Sequence, residues 1–430
     1  MGLAICWATA RRTRYELTFP KKSIPWRKGS NPKHSFLGKQ MQLSDRIQSL
    51  NGGGSNGWEI YERAQVLIRE GKAVTMLTVG DHDIGTSPEI LDEMYRAAKA
   101  GKTGYAAIPG TYELRQTVAK RVEATSGVAT GIDNVLIVPG GQAGLFAAHF
   151  AVINPGDRAL HIDPYYATYP GTLRAAGAVP VAVPAHAENG FQPLASDIAA
   201  QAPGAKSLLI NSPNNPTGAV YSQSTMEAIA GVCQDHDLWL ISDEVYESQI
   251  WEGNHITPRA LPEMAARTIV VNSLSKSHAM TGSRIGWVVA DAPVIAELTE
   301  LVTNTTYGVT GYIQQAAIFA LNQGESVEAA VAEPFRRRRG LMQKLIAEQN
   351  VARLVPAQGA MYVMLDIRAT GLSGKEFANQ LIEEHLIAVM PGESFGAAAA
   401  GHIRIALTVE DSKLEDATRR LLAFATSHMG

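Results

Sequence analysis

The feature that most constrains the fold is a regular alternation of short apolar runs and helical stretches between residues 135 and 271. The apolar runs have the composition of strands buried on both faces: Val135–Val138, Leu160–Ile162, Val179–Val183, Ser207–Ile210, Leu238–Ile241 and Thr268–Val271. Stretches with helical periodicity, such as Ser222–Asp235, separate them. The alternation predicts an α/β fold with a doubly wound, mostly parallel sheet, in which each strand end is a candidate site.

Different patterns flank this block and predict a second, smaller α+β domain. They are a helix from about Trp58 to Glu70, a strand around Val74–Val79, a long helix at Ser326–Gln349, strands near Met361–Asp366 and His402–Ala406, and a last helix from Asp411. A chain of 430 residues also exceeds the roughly 250 to 300 residues that one core usually serves. We therefore predict a large domain at 89–325 and a small domain formed by 56–88 and 326–430.

The first forty residues differ in charge from the rest of the chain. They hold nine Lys or Arg against one acid, Glu16, which leaves 38 − 9 = 29 bases and 41 − 1 = 40 acids, a net charge of −11, in the remainder. An acidic body argues against nucleic acid as a partner. The segment is basic like a transit peptide, but Pro20, Pro25 and Pro32 would break the amphipathic helix that such peptides need. We interpret residues 1–55 as a basic extension that is disordered or precedes a true start at Met41.

Other classes of protein are disfavoured by composition. Cys6 and Cys233 are too few for a disulfide framework or a thiolate metal cluster, which fits a reducing cytoplasm. The sequence has no apolar run of about eighteen residues and no secretion signal, so we expect no membrane partner. The run Arg336–Arg339 resembles a nucleic-acid patch, but on a helix after Glu333 we interpret it as a solvated charged face.

The most informative motif follows the predicted strand Thr268–Val271. Here Lys276 lies between two serines, Ser275 and Ser277, on a short turn where its amine could be held against a cofactor aldehyde. Arg284, eight residues later, offers a guanidinium suited to a phosphate. One lysine near one arginine, taken alone, is more typical of a solvated basic surface.

Three further motifs follow other predicted strands. Asn211-Ser-Pro-Asn-Asn-Pro-Thr-Gly218 forms a rigid loop that could direct Asn215 above the sheet. Ser242-Asp-Glu-Val-Tyr-Glu247 could direct Asp243 and Tyr246 to one site, although Asp-Glu pairs after strands also commonly bind magnesium. Pro139-Gly-Gly-Gln-Ala-Gly144 presents bare amides at a helix start, where a phosphate binds well.

The order of these motifs resembles that of class I/II aminotransferases of the aspartate-aminotransferase fold group, from about Met41 to the C-terminus. The resemblance includes Tyr105 in Gly-Tyr-Ala-Ala-Ile-Pro-Gly, Asp163-Pro-Tyr-Tyr166, Pro391-Gly-Glu-Ser-Phe-Gly396 and Gly401-His-Ile-Arg404. Within the family, the phrases beginning at Trp239, Asn272 and Asp366 are most similar to arginine–pyruvate transaminases. The resemblance implies fold type I, with a seven-stranded, mostly parallel sheet between helices.

The same resemblance implies the cofactor, pyridoxal 5′-phosphate, and the residues that bind its ring. Lys276 would hold the cofactor as a Schiff base and later move the proton between the substrate α-carbon and the cofactor. Asp243 would pair with the ring nitrogen, and Asn215 and Tyr246 would hydrogen-bond the ring O3′. Tyr166 would stack on the ring, although Tyr165 and Tyr169 are close by and a core role competes.

The phosphate and substrate contacts also follow from the resemblance. The phosphate would be held by the amides of Gly141 and Gln142, the hydroxyls of Ser273 and Ser275, Arg284, and Tyr105 of a partner subunit. Arg404 would bind the substrate α-carboxylate together with Asn215 and Gly80. Because Tyr105 would come from the partner, the resemblance implies a homodimer with shared active sites. Its expected reaction moves the amino group of arginine or a related donor to a 2-oxo acid such as pyruvate in two half-reactions, and no metal is expected.

Two departures from the family pattern lie near the expected substrate entrance. Position 283 is serine where tryptophan is common, and Gly80-Asp-His-Asp-Ile stands where Gly-x-Pro-x-Phe is usual. Asp81, Asp83 or Glu247 could receive a guanidinium of the donor. A β-lyase or decarboxylase would keep the same motifs, and a cofactor-binding regulator without catalysis is a remote alternative.

Overall fold

The computed structural model describes residues 41–52 and 57–429. Within them the helices are α1 Asp45–Gln48, α2 Glu59–Arg69, α3 Pro88–Lys99, α4 Tyr112–Ser126, α5 Gly141–Val152, α6 Tyr169–Ala176, α7 Ala195–Gln201, α8 Gln223–Asp235, α9 Leu274–Ser277, α10 Ala292–Thr303, α11 Gly311–Asn322, α12 Glu325–Ala347, α13 Gly374–His385 and α14 Asp411–Ser427. The strands are β1 Thr75–Met76, β2 Val135–Val138, β3 Arg158–Asp163, β4 Val179–Pro184, β5 Ala205–Asn211, β6 Trp239–Asp243, β7 Thr268–Ser273, β8 Gly286–Val289, β9 Arg353–Leu354, β10 Tyr362–Asp366, β11 Ile387–Ala388, β12 Met390–Pro391 and β13 His402–Ala406.

The main sheet has seven strands in the order β2-β8-β7-β6-β5-β3-β4. The neighbours from β7 to β4 are parallel, and β8 runs antiparallel to both β2 and β7. This confirms the predicted α/β sheet of fold type I. The strand β8 was not among the runs identified from the pattern of residues alone, which yielded six strands.

Helices cover both faces of this sheet because its strand residues alternate between them. Leu136 packs in one buried cluster with residues of α5 and α10, whereas its neighbour Ile137 packs in another with residues of α4 and α11. The inner strands are buried on both faces, which is why their runs showed no polar alternation. The edge strand β4, although equally apolar, is largely exposed.

A second sheet has the order β12-β13-β10-β9, and all its neighbours are antiparallel. The short strands β1 and β11 form a parallel pair, which connects a segment before the seven-stranded sheet with a segment after it. The strands of these two sheets come from 75–76 and 353–406, and those of the seven-stranded sheet from 135–289. The proposed boundaries of the two domains at 88 and 326 stay a prediction.

The proposed basic extension falls mainly on residues 1–40 and 53–56, which lie outside the described residues. Its described part, 41–52, includes α1, and the carbonyl of Leu50 accepts a hydrogen bond of 2.9 Å from Arg174 Nη1. In the described part of the chain, every helix is too short or too polar to cross a bilayer.

One sequence interpretation is wrong: the run Arg336–Arg339 on α12 is not a solvated face. Arg338 and Arg339 are buried, and each of the four guanidiniums binds a carboxylate. The pairs are Arg336–Glu333 at 2.7 Å, Arg337–Asp411 at 2.5 Å, Arg338 with Asp83 at 2.6 Å and Asp411 at 2.9 Å, and Arg339–Glu252. The run therefore joins α12 to neighbouring segments.

Candidate active site

A cavity of about 340 Å³ lies at the carboxyl ends of β5, β6 and β7. Its lining contains every site residue expected from the sequence except Tyr105: Gly80, Gly141, Gln142, Tyr166, Asn215, Asp243, Tyr246, Ser273, Ser275, Lys276, Arg284 and Arg404. The carboxyl ends of neighbouring parallel strands share one edge of a sheet, so motifs that are distant in sequence meet there.

Lys276 projects into this cavity from the short helix α9. Its Nζ donates a hydrogen bond to the carbonyl of Gly80, and it lies 6.0 Å from the ring centroid of Tyr246. The Tyr246 hydroxyl is 3.0 Å from that of Tyr362. The site therefore places a primary amine near the ring of a buried tyrosine whose hydroxyl contacts that of a second buried tyrosine.

An anion cradle lies at the start of α5. The amides of Gly141 and Gln142 belong to the first helical turn, where backbone N–H groups have no helical partner. The Gln142 side chain is engaged elsewhere, since its Nε2 donates to Thr172 Oγ1 at 2.6 Å. A Cβ at Gly140 would lie 2.5 Å from Nη2 of Arg284, so a glycine allows the guanidinium to approach these amides.

Ser273 and Ser275 complete the polar lining on that side of the cavity. Ser273 ends β7 and caps α9, and both hydroxyl-bearing residues are buried. Amides at a helix start, two hydroxyls and a guanidinium together form a site suited to a phosphate.

Asp243 lines the same cavity, at the end of β6. Tyr169 Oη donates a 2.6 Å hydrogen bond to its Oδ2, and the amide of Val245 donates to its Oδ1 at 3.3 Å. Burial raises the pKa of this carboxyl to about 6, and the hydrogen bond from Tyr169 opposes that rise. A carboxylate held here can pair with a protonated ring nitrogen.

Arg404 is a buried arginine without a carboxylate partner in the described part of the chain. It is 1% exposed, its Nη1 donates to Asn215 Oδ1 at 2.8 Å, and its Nη2 donates to the carbonyl of Thr78. Its guanidinium also lies 4.5 Å and 4.4 Å from the ring centroids of Tyr362 and Phe395. Burial lowers its pKa. An uncompensated buried cation at a cavity wall is suited to a ligand carboxylate.

These observations show that the residues present fit pyridoxal phosphate. The lining of one cavity offers an anion cradle, a buried carboxylate and the amine of Lys276. Tyr166 is half-buried in the lining, with its ring edge-on to Tyr169 at 5.8 Å between centroids.

Of the four other residues expected from the sequence, three lie outside the cavity lining and Asp81 lies in it. Tyr105 is 91% exposed, packs on Tyr307 and is absent from the cavity lining. Asp83 and Glu247 bind the chain's own arginines, Arg338 at 2.6 Å and Arg121 at 2.9 Å, whereas Asp81 lines the cavity.

The Asp-Glu pair proposed as a possible magnesium site has divided roles. Asp243 faces the cavity, whereas Glu244 bonds outside the lining with Ser242, Thr257 and His255 at 2.8 to 3.1 Å. The two carboxylates therefore have separate partners.

Two functional tyrosines were missed in the sequence analysis. Tyr169, considered only as a core competitor, holds Asp243, and Tyr362 contacts both Tyr246 and Arg404. Tyr169 begins α6 and Tyr362 begins β10, and neither lies in a motif that marks it as polar machinery. Their hydrogen-bond partners Asp243 and Tyr246 are more than seventy residues away in the chain, so only the fold reveals these pairs.

Comparisons with known proteins agree with this geometry. The family model described as aminotransferase class I and II matches residues 72–421. The arginine–pyruvate transaminase of Pseudomonas aeruginosa is 41% identical over 391 residues, which cover 91% of this chain and 100% of that protein. The aspartate/prephenate aminotransferase of Thermus thermophilus is 34% identical over 383 residues, 88% of this chain and 97% of the relative. The structure of the Thermus thermophilus aspartate aminotransferase with maleate has a TM-score of 0.84 at 32% identity and covers 90% of this chain and 100% of that one.

Proposed function

Since the chain belongs to the class I and II aminotransferase family and is a pyridoxal-phosphate-dependent transaminase, we propose that arginine or a related amino acid is its donor and a 2-oxo acid such as pyruvate its acceptor. The observation that carries the reaction class is Arg404, a buried guanidinium at the cavity wall without a carboxylate partner among the described residues. Amino donors and 2-oxo acids share the α-carboxylate that would compensate this charge. The full-length similarity to an arginine–pyruvate transaminase supports the choice of substrates.

The cofactor would occupy the space between the anion cradle and Asp243. Gly141, Gln142, Ser273, Ser275 and Arg284 would hold its phosphate, as their grouping at the start of α5 and the end of β7 supports. Asp243, Asn215 and Tyr246 would bind the polar atoms of its ring, and Tyr166 would pack on the ring face. When bound, pyridoxal phosphate supplies an aldehyde that exchanges amino groups and a ring that withdraws electrons from the substrate α-carbon.

Arg404 and Lys276 would divide the work on the substrate. Arg404 would bind the α-carboxylate through two parallel hydrogen bonds and so fix the direction of the bond between the α-carbon and its hydrogen. Lys276 would remove the proton from the α-carbon as a general base and return it in the reverse half-reaction. Asp243, ionised near neutral pH, would keep a proton on the ring nitrogen.

Asp81 is the acidic residue of the lining that can serve a cationic donor side chain. Asp243 is held by Tyr169, whereas the Asp81 carboxylate is exposed and accepts a hydrogen bond of 2.8 Å from the Thr281 hydroxyl. We propose that Asp81 receives the guanidinium of arginine. The alternatives from the sequence, Asp83 and Glu247, already bind arginines of the protein.

The test is product analysis of the purified, cofactor-loaded enzyme with L-arginine and pyruvate. We expect alanine and the 2-oxo acid of arginine in equal amounts, and no turnover by Lys276→Ala. Release of ammonia or carbon dioxide instead would support a β-lyase or a decarboxylase. Turnover of other amino acids without arginine would show that the reaction is right and the donor wrong.

The Asp81→Asn variant tests the donor contact separately. We expect kcat/KM for arginine to fall at least about tenfold, because a hydrogen bond to a charged group contributes about 1.5 to 3 kcal/mol. The value for alanine as donor should stay unchanged, since alanine has no side-chain charge. An equal loss for both donors would contradict the assignment.

A further inference from the structure

The loop before α3 is fastened to the segment that carries Lys276 by hydrogen bonds from three side chains. Thr281 Oγ1 donates to Asp81 Oδ1 at 2.8 Å, Thr86 Oγ1 donates to the carbonyl of Ala279 at 2.7 Å, and His82 Nε2 lies 3.0 Å from the carbonyl oxygen of Lys276. Of these contacts, only that of His82 reaches the lysine itself. The carbonyl of Gly80, in the same loop, also accepts a hydrogen bond from the lysine amine.

The geometry fixes the state of the His82 ring. A carbonyl oxygen can only accept a hydrogen bond, so Nε2 carries a proton and donates a hydrogen bond to the backbone carbonyl of Lys276. Nδ1 is buried and has no hydrogen-bond partner in the described part of the chain, and the ring packs edge-on against Phe335 at 5.3 Å between centroids. A neutral ring fits this environment, because a proton on Nδ1 would have no acceptor.

We propose that His82 is a positioning residue for Lys276: its ring N–H holds the backbone carbonyl of the lysine and so fixes the place of the amine in the cavity. The lysine is then held at both ends by one loop, at its carbonyl by His82 and at its amine by Gly80. Gln249 Nε2 adds a longer contact of 3.3 Å to the same carbonyl. The family pattern Gly-x-Pro-x-Phe has proline at this position, which has no side-chain donor, so the arrangement is specific to chains with a donor here.

The charge state of His82 suits this role. Burial, and secondly the nearby charge of Lys276, lower its pKa to about 4. His82 therefore stays neutral at neutral pH and adds no second positive charge beside the amine. Asp81 and Asp83, which flank it, oppose the lowering without reversing it.

The experiment compares His82→Leu, which removes the donor, with His82→Gln, whose amide nitrogen is as many bonds from Cβ as Nε2. Thr86→Val is the matched control, because it removes another hydrogen bond between the same segments but leaves Lys276 untouched. The apoprotein of each variant is mixed with pyridoxal phosphate. Tryptophan fluorescence reports non-covalent binding, and the growth of visible absorbance reports covalent attachment to the Lys276 amine with loss of one water.

We expect His82→Leu to slow covalent attachment about tenfold, as the loss of one buried hydrogen bond implies, with non-covalent affinity unchanged. In turnover, kcat should fall by a similar factor while KM stays within about twofold, and His82→Gln should restore most of both rates. Thr86→Val should behave like the wild type.

Two outcomes would overturn the proposal. One is wild-type attachment and kcat in His82→Leu; the other is an equal loss in Thr86→Val, which would show a general tether between the loops. The attachment step needs no amino donor, so its result is independent of the choice between arginine and other substrates.

Discussion

Asp243 shows how a binding residue carries a stability cost in the apoprotein. Its folded pKa of about 6 lies above the value of about 3.9 in an unfolded chain. The folded state therefore binds a proton more tightly than the unfolded state. The resulting contribution to stability is fully present below about pH 4 and is lost as the pH rises through 6.

Asp243→Asn should remove this loss. We expect the apoprotein variant to gain about 2 kcal/mol in unfolding free energy relative to the wild type between pH 4 and pH 7, as measured by denaturant titration. Asp92→Asn, at an exposed position on α3, is the control and should follow the wild type at each pH. The prediction would be contradicted if the unfolding free energies of Asp243→Asn and the wild type changed equally with pH.

At the residue scale, the sequence was sufficient where chemistry sits in a motif at a strand end. Asp243 is the last residue of β6, Asn215 follows β5 and Lys276 follows β7. The shared edge of the parallel sheet therefore brings the three together. Tyr169 and Tyr362 could not be found in this way, because an aromatic residue at an element boundary usually belongs to the core. Their hydroxyl groups gain partners only through the fold.

At the scale of elements, α12 is the clearest difference between pattern and structure. Four consecutive arginines indicate a charged surface, but successive residues on a helix point in different directions, about 100° apart. Arg336 is therefore exposed beside Glu333, whereas the Arg338 side chain is 5% exposed between Asp83 and Asp411. Strand β8 was not predicted because it has only four residues and lies outside the regular alternation of strands and helices. It is antiparallel to β7.

Arg338→Met should destabilise the protein by about 2 to 4 kcal/mol, because the largely buried carboxylate of Asp83 loses its guanidinium partner while Asp411 keeps Arg337. Denaturant titration of the apoprotein measures the loss. Arg336→Met removes an exposed pair on the same helix and should cost at most about 1 kcal/mol. Equal losses of unfolding free energy in both variants would mean that the burial of Arg338 does not increase its contribution to stability.

At the scale of the molecule, Tyr105 is the predicted site residue that a single chain leaves outside its own cavity. It lies on the surface against Tyr307, with ring centroids 5.0 Å apart. An exposed tyrosine is consistent with contribution to a neighbouring subunit, which is the role that the family resemblance implies. The homodimer and the cytoplasmic location stay predictions.

Mixed dimers can test the shared site. We expect Tyr105→Ala to bind the cofactor weakly and Lys276→Ala to be inactive. A dimer with one subunit of each type would contain one complete site, so random mixing should restore up to about a quarter of the wild-type sites. Activity of the whole mixture measures this, and purified, doubly tagged dimers should have about half of the wild-type activity. No gain over Tyr105→Ala alone would contradict the shared site.

Gly80 and Asp81 are neighbours in the chain but differ in the side chains that each position can accommodate. A Cβ at position 80 would lie 1.7 Å from the Tyr362 hydroxyl oxygen, whereas the side chain of Asp81 is exposed. Under the proposed contact between Asp81 and the donor, substitutions at position 81 change substrate choice, whereas any side chain at position 80 would displace Tyr362. Directed evolution of donor preference should therefore find its variants at position 81 and retain glycine at position 80.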